Sequence, residues 1–181
     1  MRVASPSTTL YTLGKGILSI AEWSGGAPGA YVDVGNCPKF DAEVTETKLD
    51  HFSSRTGTRT KDKTVIIETG YKVAFDLDEK SAVNMAMLLK GRNVGGNIYA
   101  NTELTKEYAL RFVSDNPAGP NERWFFHRCT LSPGGAVSLI GDEWQKMSFN
   151  GEGLSDTVYH ASSPYFTVAL EGASSTTTTT F

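Results

Sequence analysis

Lys39-Phe40-Asp41-Ala42-Glu43-Val44-Thr45-Glu46-Thr47 alternates apolar and polar residues. Phe40, Ala42 and Val44 share one face of an extended chain, with Lys39, Asp41, Glu43, Thr45 and Thr47 on the other. That is the period of a strand with one wet side. The chain is apolar again over residues 64–77, where Tyr71, Val73, Phe75 and Leu77 point one way and Lys72, Ala74 and Asp76 the other. Between the two lies a polar arm, residues 49–63, far longer than a hairpin turn needs. A connection of this length with no structure of its own is functional or disordered. We read it as an extended loop that reaches another subunit.

Residues 78–90 carry the only strong helical pattern, with Ala82, Met85, Ala86 and Leu89 on one stripe. Asp78 is the expected N-cap, and Gly91 the expected C′ residue at positive φ. The stripe is read as a face packed on a sheet. Upstream, residues 10–23 read as a bent strand or strand pair kinked at Gly14 and Gly16. A turn at 24–29 and a short strand at 31–36 follow. Downstream, a loop starts at Gly95, and residues 107–114, 122–131, 144–150 and 165–170 read as strands. Many short strands, Gly/Pro punctuation and one helix predict a mainly β fold, an antiparallel sandwich or barrel with a flanking helix. We expect one domain over residues 10–171, a small polar arm at 1–9, and a Ser/Thr-rich arm at 172–181 that is either disordered or an added strand on a neighbour.

The 181 residues suffice for a sizeable core; 20% are charged, 39% apolar, and the net charge is -3. A mildly acidic chain is not a dedicated duplex-DNA binder. No apolar run is long enough for a membrane span, and residues 1–9 lack the apolar segment of a secretory signal. Cys37 and Cys129 are expected as free thiols in a chain made in cytoplasm.

No catalytic constellation stands out, and neither cofactor nor metal is expected. Asp50 and His51 are sequence neighbours on an extended segment and so point apart. His127 and Cys129 would share a strand face, but a zinc site needs further ligands and no second cluster exists. His160 has no partner identifiable from sequence. Phosphate loops, nucleophile elbows and zinc-protease motifs are lacking. The arm is more telling. Arg55, Arg59, Lys61 and Lys63 stand against Asp62 alone, a local charge of +3, with Phe52 the only aromatic nearby. One aromatic offers little for base stacking. We read these residues as docking onto an acidic surface of another copy, with Asp41, Glu43 and Glu46 as candidate acids.

Several motifs together resemble one family. They are Val34-Gly35-Asn36-Cys37-Pro38-Lys39-Phe40, Thr45-Glu46-Thr47-Lys48-Leu49-Asp50-His51, Gly57-x-Arg59-x-Lys61-Asp62-Lys63 and Phe75-Asp76-Leu77-Asp78-Glu79. Leu139-Ile140-Gly141-Asp142-Glu143-Trp144 and Gly151-Glu152-Gly153 follow in the same order. This series, spanning most of residues 10–154, resembles the tail tube (major tail) proteins of long-tailed bacteriophages.

The resemblance implies a β-sandwich with one flanking helix, assembled as hexameric rings whose inner strands merge into a barrel around a channel. Rings would stack into a tube in the virion tail, assembled in the host cytoplasm, that conducts DNA without binding it specifically. Residues 49–63 would be the inter-ring loop, making Phe52, Arg55, Arg59, Lys61 and Lys63 contact candidates. Asp41, Glu43, Thr45 and Glu68 become lumen-lining candidates, since a basic bore would hold phosphates. Tail terminator, tail tip and tape-measure proteins are the implied partners, with no membrane. Two alternatives stay open: the tube of a contractile or secretion machine, and a sugar-binding adhesion sandwich using Trp23, Trp124 and Trp144.

Overall fold

Period-two patterning produces a large antiparallel sheet in the computed structural model, which describes residues 8–55 and 57–171. A 3-10 turn at Thr8–Leu10 precedes β1 (Gly16–Ser24), β2 (Ala27–Pro28) and β3 (Val32–Asp33). Two long strands follow, β4 (Lys39–Ser53) and β5 (Thr60–Leu77), then α1 (Ala82–Leu88). The rest comprises β6 (Arg92–Val94), β7 (Asn97–Tyr99), β8 (Glu107–Ser114), β9 (Glu122–Pro133), β10 (Met147–Gly153) and β11 (Phe166–Leu170). The main sheet has nine strands in the order β2-β1-β8-β9-β10-β5-β4, with β3 added to β1 and β11 to β9. A small hairpin, β6-β7, stands apart from it. The fold is therefore mainly β and antiparallel, with a single helix among the described residues.

The sandwich is built from this one sheet curling over its own apolar face. Phe40 on β4 meets Phe112 on β8 and Phe126 on β9, each at 5.7 Å between ring centroids, although β5 and β10 intervene in the sheet order. The path stays open, with β4 at one edge. Inside the curl the predicted face of β5 is fully used: Tyr71, Val73, Phe75 and Leu77 are all buried. Phe75 stacks on Phe149 at 4.8 Å. Burying each such side chain contributes about 1.5–3 kcal/mol relative to leaving it in water.

Three expectations need correcting. First, residues 49–63 are no loop. β4 and β5 stay paired out to Ser53 and Thr60, leaving only the tip unpaired. Register shifts at Thr47/Lys48 and His51/Phe52 change the phase of the side-chain alternation, and that hid the strands from a period-two reading.

Second, the helix is shorter and rotated. Its N-cap is Ser81, whose side chain accepts from the Asn84 amide at 3.1 Å. Asp78 is engaged elsewhere, accepting from Asn36 Nδ2 at 2.6 Å. Asn84 Nδ2 donates to the carbonyls of Val34 and Glu79, so Asn84, Met87 and Leu88 face inward while Ala82 and Val83 are exposed. Positive φ falls on Lys90 (46°) rather than Gly91. Gly91 is needed for close approach: a Cβ there would sit 2.4 Å from the Tyr99 carbonyl oxygen.

Third, the element bounds shift. The first strand begins only at Gly16, and β10 begins at Met147, which leaves Trp144 in a loop. Gly95-Gly96 turns the β6-β7 hairpin rather than opening a loop. The terminal arms expected at 1–9 and 172–181 lie, apart from residues 8–9, outside the described residues.

Candidate assembly surfaces

Residues beyond Thr45 on β4 and before Gly70 on β5 form a two-stranded ribbon. β10 pairs with β5 only from Lys72 onward, so no third strand among the described residues supports this part. An isolated two-stranded ribbon is marginally stable in water. This one is held by its own cross-strand contacts. Thr64 Oγ1 donates to Asp50 at 2.7 Å, Lys61 reaches the same carboxylate at 2.7 Å, and His51 Nδ1 meets Asp62 at 2.6 Å. The hydrogen bonds from Lys61 and Thr64 hold the Asp50 carboxyl below its usual range. His51 thus pairs across the ribbon and not with its sequence neighbour. The ribbon also exposes Leu49, Val65, Ile66 and Ile67. β4 adds a second unfinished feature, because among the described residues it pairs only with β5, which leaves its 15-residue outer edge uncovered by any described strand.

The wet face of the hairpin collects the lumen candidates. Register places Asp41 opposite Ala74, Glu43 opposite Lys72, Thr45 opposite Gly70 and Thr47 opposite Glu68, all on the side away from the core. Thr47 Oγ1 donates to Glu68 at 3.1 Å. Asp76 and Glu152 extend this face onto β5 and β10. Five carboxylates there, those of Asp41, Glu43, Glu68, Asp76 and Glu152, face the ammonium groups of Lys39 and Lys72. Lys39 pairs with Asp41 at 3.0 Å. Asp41, Glu43 and Glu68 are exposed and Thr45 is half-buried. Glu46 lies on the other face, paired with Lys48 at 2.9 Å.

The five contact candidates gather at the ribbon tip. The Arg59 guanidinium lies 5.5 Å from the centre of the Phe52 ring, and Phe52 pairs in register with Lys61. Lys63 pairs in register with His51, and Arg55 sits in the turn. Arg55 and Lys63 make no ion pair among the described residues.

The structure separates His127 from Cys129. A β9 bulge opposite Ala109 turns Cys129 into the core beside Tyr71, while His127 faces the other way. Both cysteines are free thiols; burial pushes Cys37 up to about 11 and Cys129 to about 12. His127 instead stacks on His160 at 3.6 Å, and His160 Nδ1 lies 2.7 Å from the buried Asp156. Sequence reading missed this cluster, because His127 on β9 lies far along the chain from the loop that carries Asp156 and His160.

It also missed the loop between β9 and β10, where Leu139, Ile140 and Trp144 are highly exposed. The signal was present: three large apolar residues and two acids around Gly141 in a segment without strand period. Trp124, by contrast, stacks on Phe126 and Phe166, and Trp23 is half-buried in a hollow with Tyr31 and Phe125. The three tryptophans form no shared platform.

No described helix is long and apolar enough to cross a membrane. A concavity of about 590 Å³ between β1 and α1 is mostly apolar around the Lys106–Glu22 pair (2.7 Å).

Residues 11–97 match a family described as "Protein of unknown function UCP028589". No curated protein matches the chain. Among solved structures, the cryo-EM structure of the anti-feeding prophage cap (AFP tube terminating cap) is similar at 9% identity and a TM-score of 0.38. The alignment covers 94% of this chain and 93% of that one. At that identity and TM-score the similarity carries no inference about this chain.

Proposed function

We propose that this chain is a structural subunit of a phage tail, whose copies close into rings and stack into the tube that conducts genomic DNA. The observation that carries the reading is the β4-β5 hairpin: a 15-residue edge that no described strand covers, whose outer part is a ribbon with exposed apolar side chains on a thin support. Long exposed edges are aggregation liabilities unless a partner covers them. Identical copies supply that partner, β4 of one extending the sheet of the next, in hexameric rings as the family resemblance implies. The role is structural rather than catalytic.

In such a ring the wet face of the hairpin lines the bore. Its excess of carboxylates, with Asp41, Glu43 and Glu68 among them, repels phosphate and lets DNA slide. That excess favours DNA passage over the protein cargo of a secretion tube. Terminator, tip and tape-measure proteins would meet the ends and bore of the assembly inside the virion. Negative-stain electron microscopy with sedimentation over a rising concentration series tests the proposal. Rings and stacked rings are expected; a chain that stays monomeric at every concentration overturns it.

A further inference from the structure

Ile140 and Trp144 are the most exposed large apolar side chains among the described residues, at 95% and 93%, and Leu139 is 76% exposed. Scattered single exposures are ordinary, but three within six residues form a patch, and such patches mark interaction sites. Asp142 and Glu143 lie between them, and neither makes an ion pair among the described residues. The loop is tethered at its base, where Lys80 Nζ donates to Gln145 Oε1, and Ser138 Oγ donates to the Ile140 carbonyl at 3.2 Å. Beside it is a shallow depression of about 440 Å³, lined in part by Asp142, Glu143 and Trp144.

Position in the fold decides what could cover this patch. β10 starts at Met147, which pairs with Leu77, the last residue of β5. The loop therefore sits at the C-terminal end of β5, whereas the ribbon tip sits at its N-terminal end, Thr60. β5 has 18 residues. At the usual strand rise its ends are roughly 56 Å apart. The tip cannot fold back onto its own loop, but it can reach the loop of another copy. The chemistry fits: the tip offers Phe52, partly exposed, and the unpaired cations Arg55 and Lys63, and the loop offers an apolar patch with two unpaired carboxylates.

We propose that residues 139–144 of one copy are the seat for the ribbon tip of the next. Phe52 packs on the patch of Leu139, Ile140 and Trp144, and Arg55 and Lys63 pair with Asp142 and Glu143. The contact is head-to-tail, so it leaves a fresh tip and a fresh seat at the two ends and propagates without limit. It rests on the self-assembly reading above and names the surface through which stacking occurs.

Charge exchange in the full-length chain tests the pairing. Asp142→Arg with Glu143→Arg, or Arg55→Glu with Lys63→Glu, should each raise the concentration needed for stacking by about tenfold or more, while ring closure and melting temperature stay unchanged. All four substitutions together should recover stacking to within about threefold of the wild type. Trp144→Ser, which leaves the charges alone, should also weaken stacking. Loop variants that stack like the wild type, or a combined variant that recovers nothing, overturn this inference and leave ring assembly standing. A wild-type chain that never assembles overturns both.

Discussion

The Tyr165 hydroxyl donates to the backbone carbonyl of Thr69 at 2.7 Å, across 96 positions of sequence, and this bond is where the body lets go of the ribbon. Tyr165 also packs edge-on to Tyr71 at 6.2 Å, which fixes the direction of its hydroxyl. Toward the tip, the hydrogen bonds and ion pairs of residues 46–53 and 59–68 are made within the ribbon. Tyr165→Phe removes the tether without disturbing the ring packing. A partly exposed hydrogen bond of this kind contributes about 0.5–1.5 kcal/mol. The expected outcome is amide exchange about threefold to tenfold faster in residues 46–53 and 60–69, with the global melting temperature little changed. Equal acceleration across β8 and β9 would show that the bond stabilises the body instead.

How much of this was legible in the sequence follows from where the alternation stays in phase. Phe75 and Val73 on β5 announce a buried face because Lys72 and Asp76 alternate with them, and the structure buries just those apolar residues. The ribbon was hidden because two bulges move its apolar residues between faces, and because Lys61, Asp50 and Thr64 spend their polarity on one another. The helix start was misplaced because Asp78 and Ser81 are both good caps, and only the distant Asn36 decides between them by holding Asp78. The His127–His160–Asp156 cluster depends on the loop between β10 and β11 meeting β9, a long-range arrangement that no local period records.

Gly153 ends β10 directly against Tyr71, and a Cβ there would lie 2.2 Å from two carbons of the ring. That ring is held from several sides, packed at 5.2 Å on Phe126 and with its hydroxyl donating to the Arg128 carbonyl at 2.8 Å. It cannot give way cheaply. Gly153→Ala should therefore cost about 1–3 kcal/mol of stability by overpacking, measured as a shifted denaturant midpoint. A neutral result would mean that Tyr71 has room to move.

Stability should fall on mild acidification, and His127 sets the window. Its burial, and then the charge of the neighbouring His160, lower its pKa, with Asp156 pulling weakly the other way. Its Nε2 is buried without a hydrogen-bond partner. A histidine depressed in the fold gives stability that is complete above its unfolded value of about 6.5 and is lost as pH drops below it, because the unfolded chain takes up a proton that the fold refuses. Asp156 adds a second, lower step. Burial works against its charge, but the hydrogen bonds from His160 and the Tyr159 amide outweigh this and hold the carboxyl below the usual range. Its contribution is present above about pH 4 and lost below. Melting temperature measured from pH 8 to 4 should decline from about 6.5 downward, and His127→Gln should flatten the upper part of that decline. A wild-type curve that is level or rising from pH 7 to 5 would refute this account.

The carboxylates of the hairpin's wet face give the sharpest test of what passes through the assembly. Asp41 and Glu43 stand two residues apart on the outermost strand, with Ala74 and Lys72 as their cross-strand partners. Asp41→Lys with Glu43→Lys replaces two negative charges by two positive ones in every copy, at exposed positions where the folded subunit should change by no more than about 0.5 kcal/mol. If that face lines the bore, tubes of the variant gain a positive interior and retain short DNA fragments, with an affinity that drops steeply as salt rises. Wild-type tubes should retain none. Retention that persists after the tube ends are capped, or variant tubes indistinguishable from the wild type, would place these carboxylates on the outer wall and send the bore to a different face of the sheet.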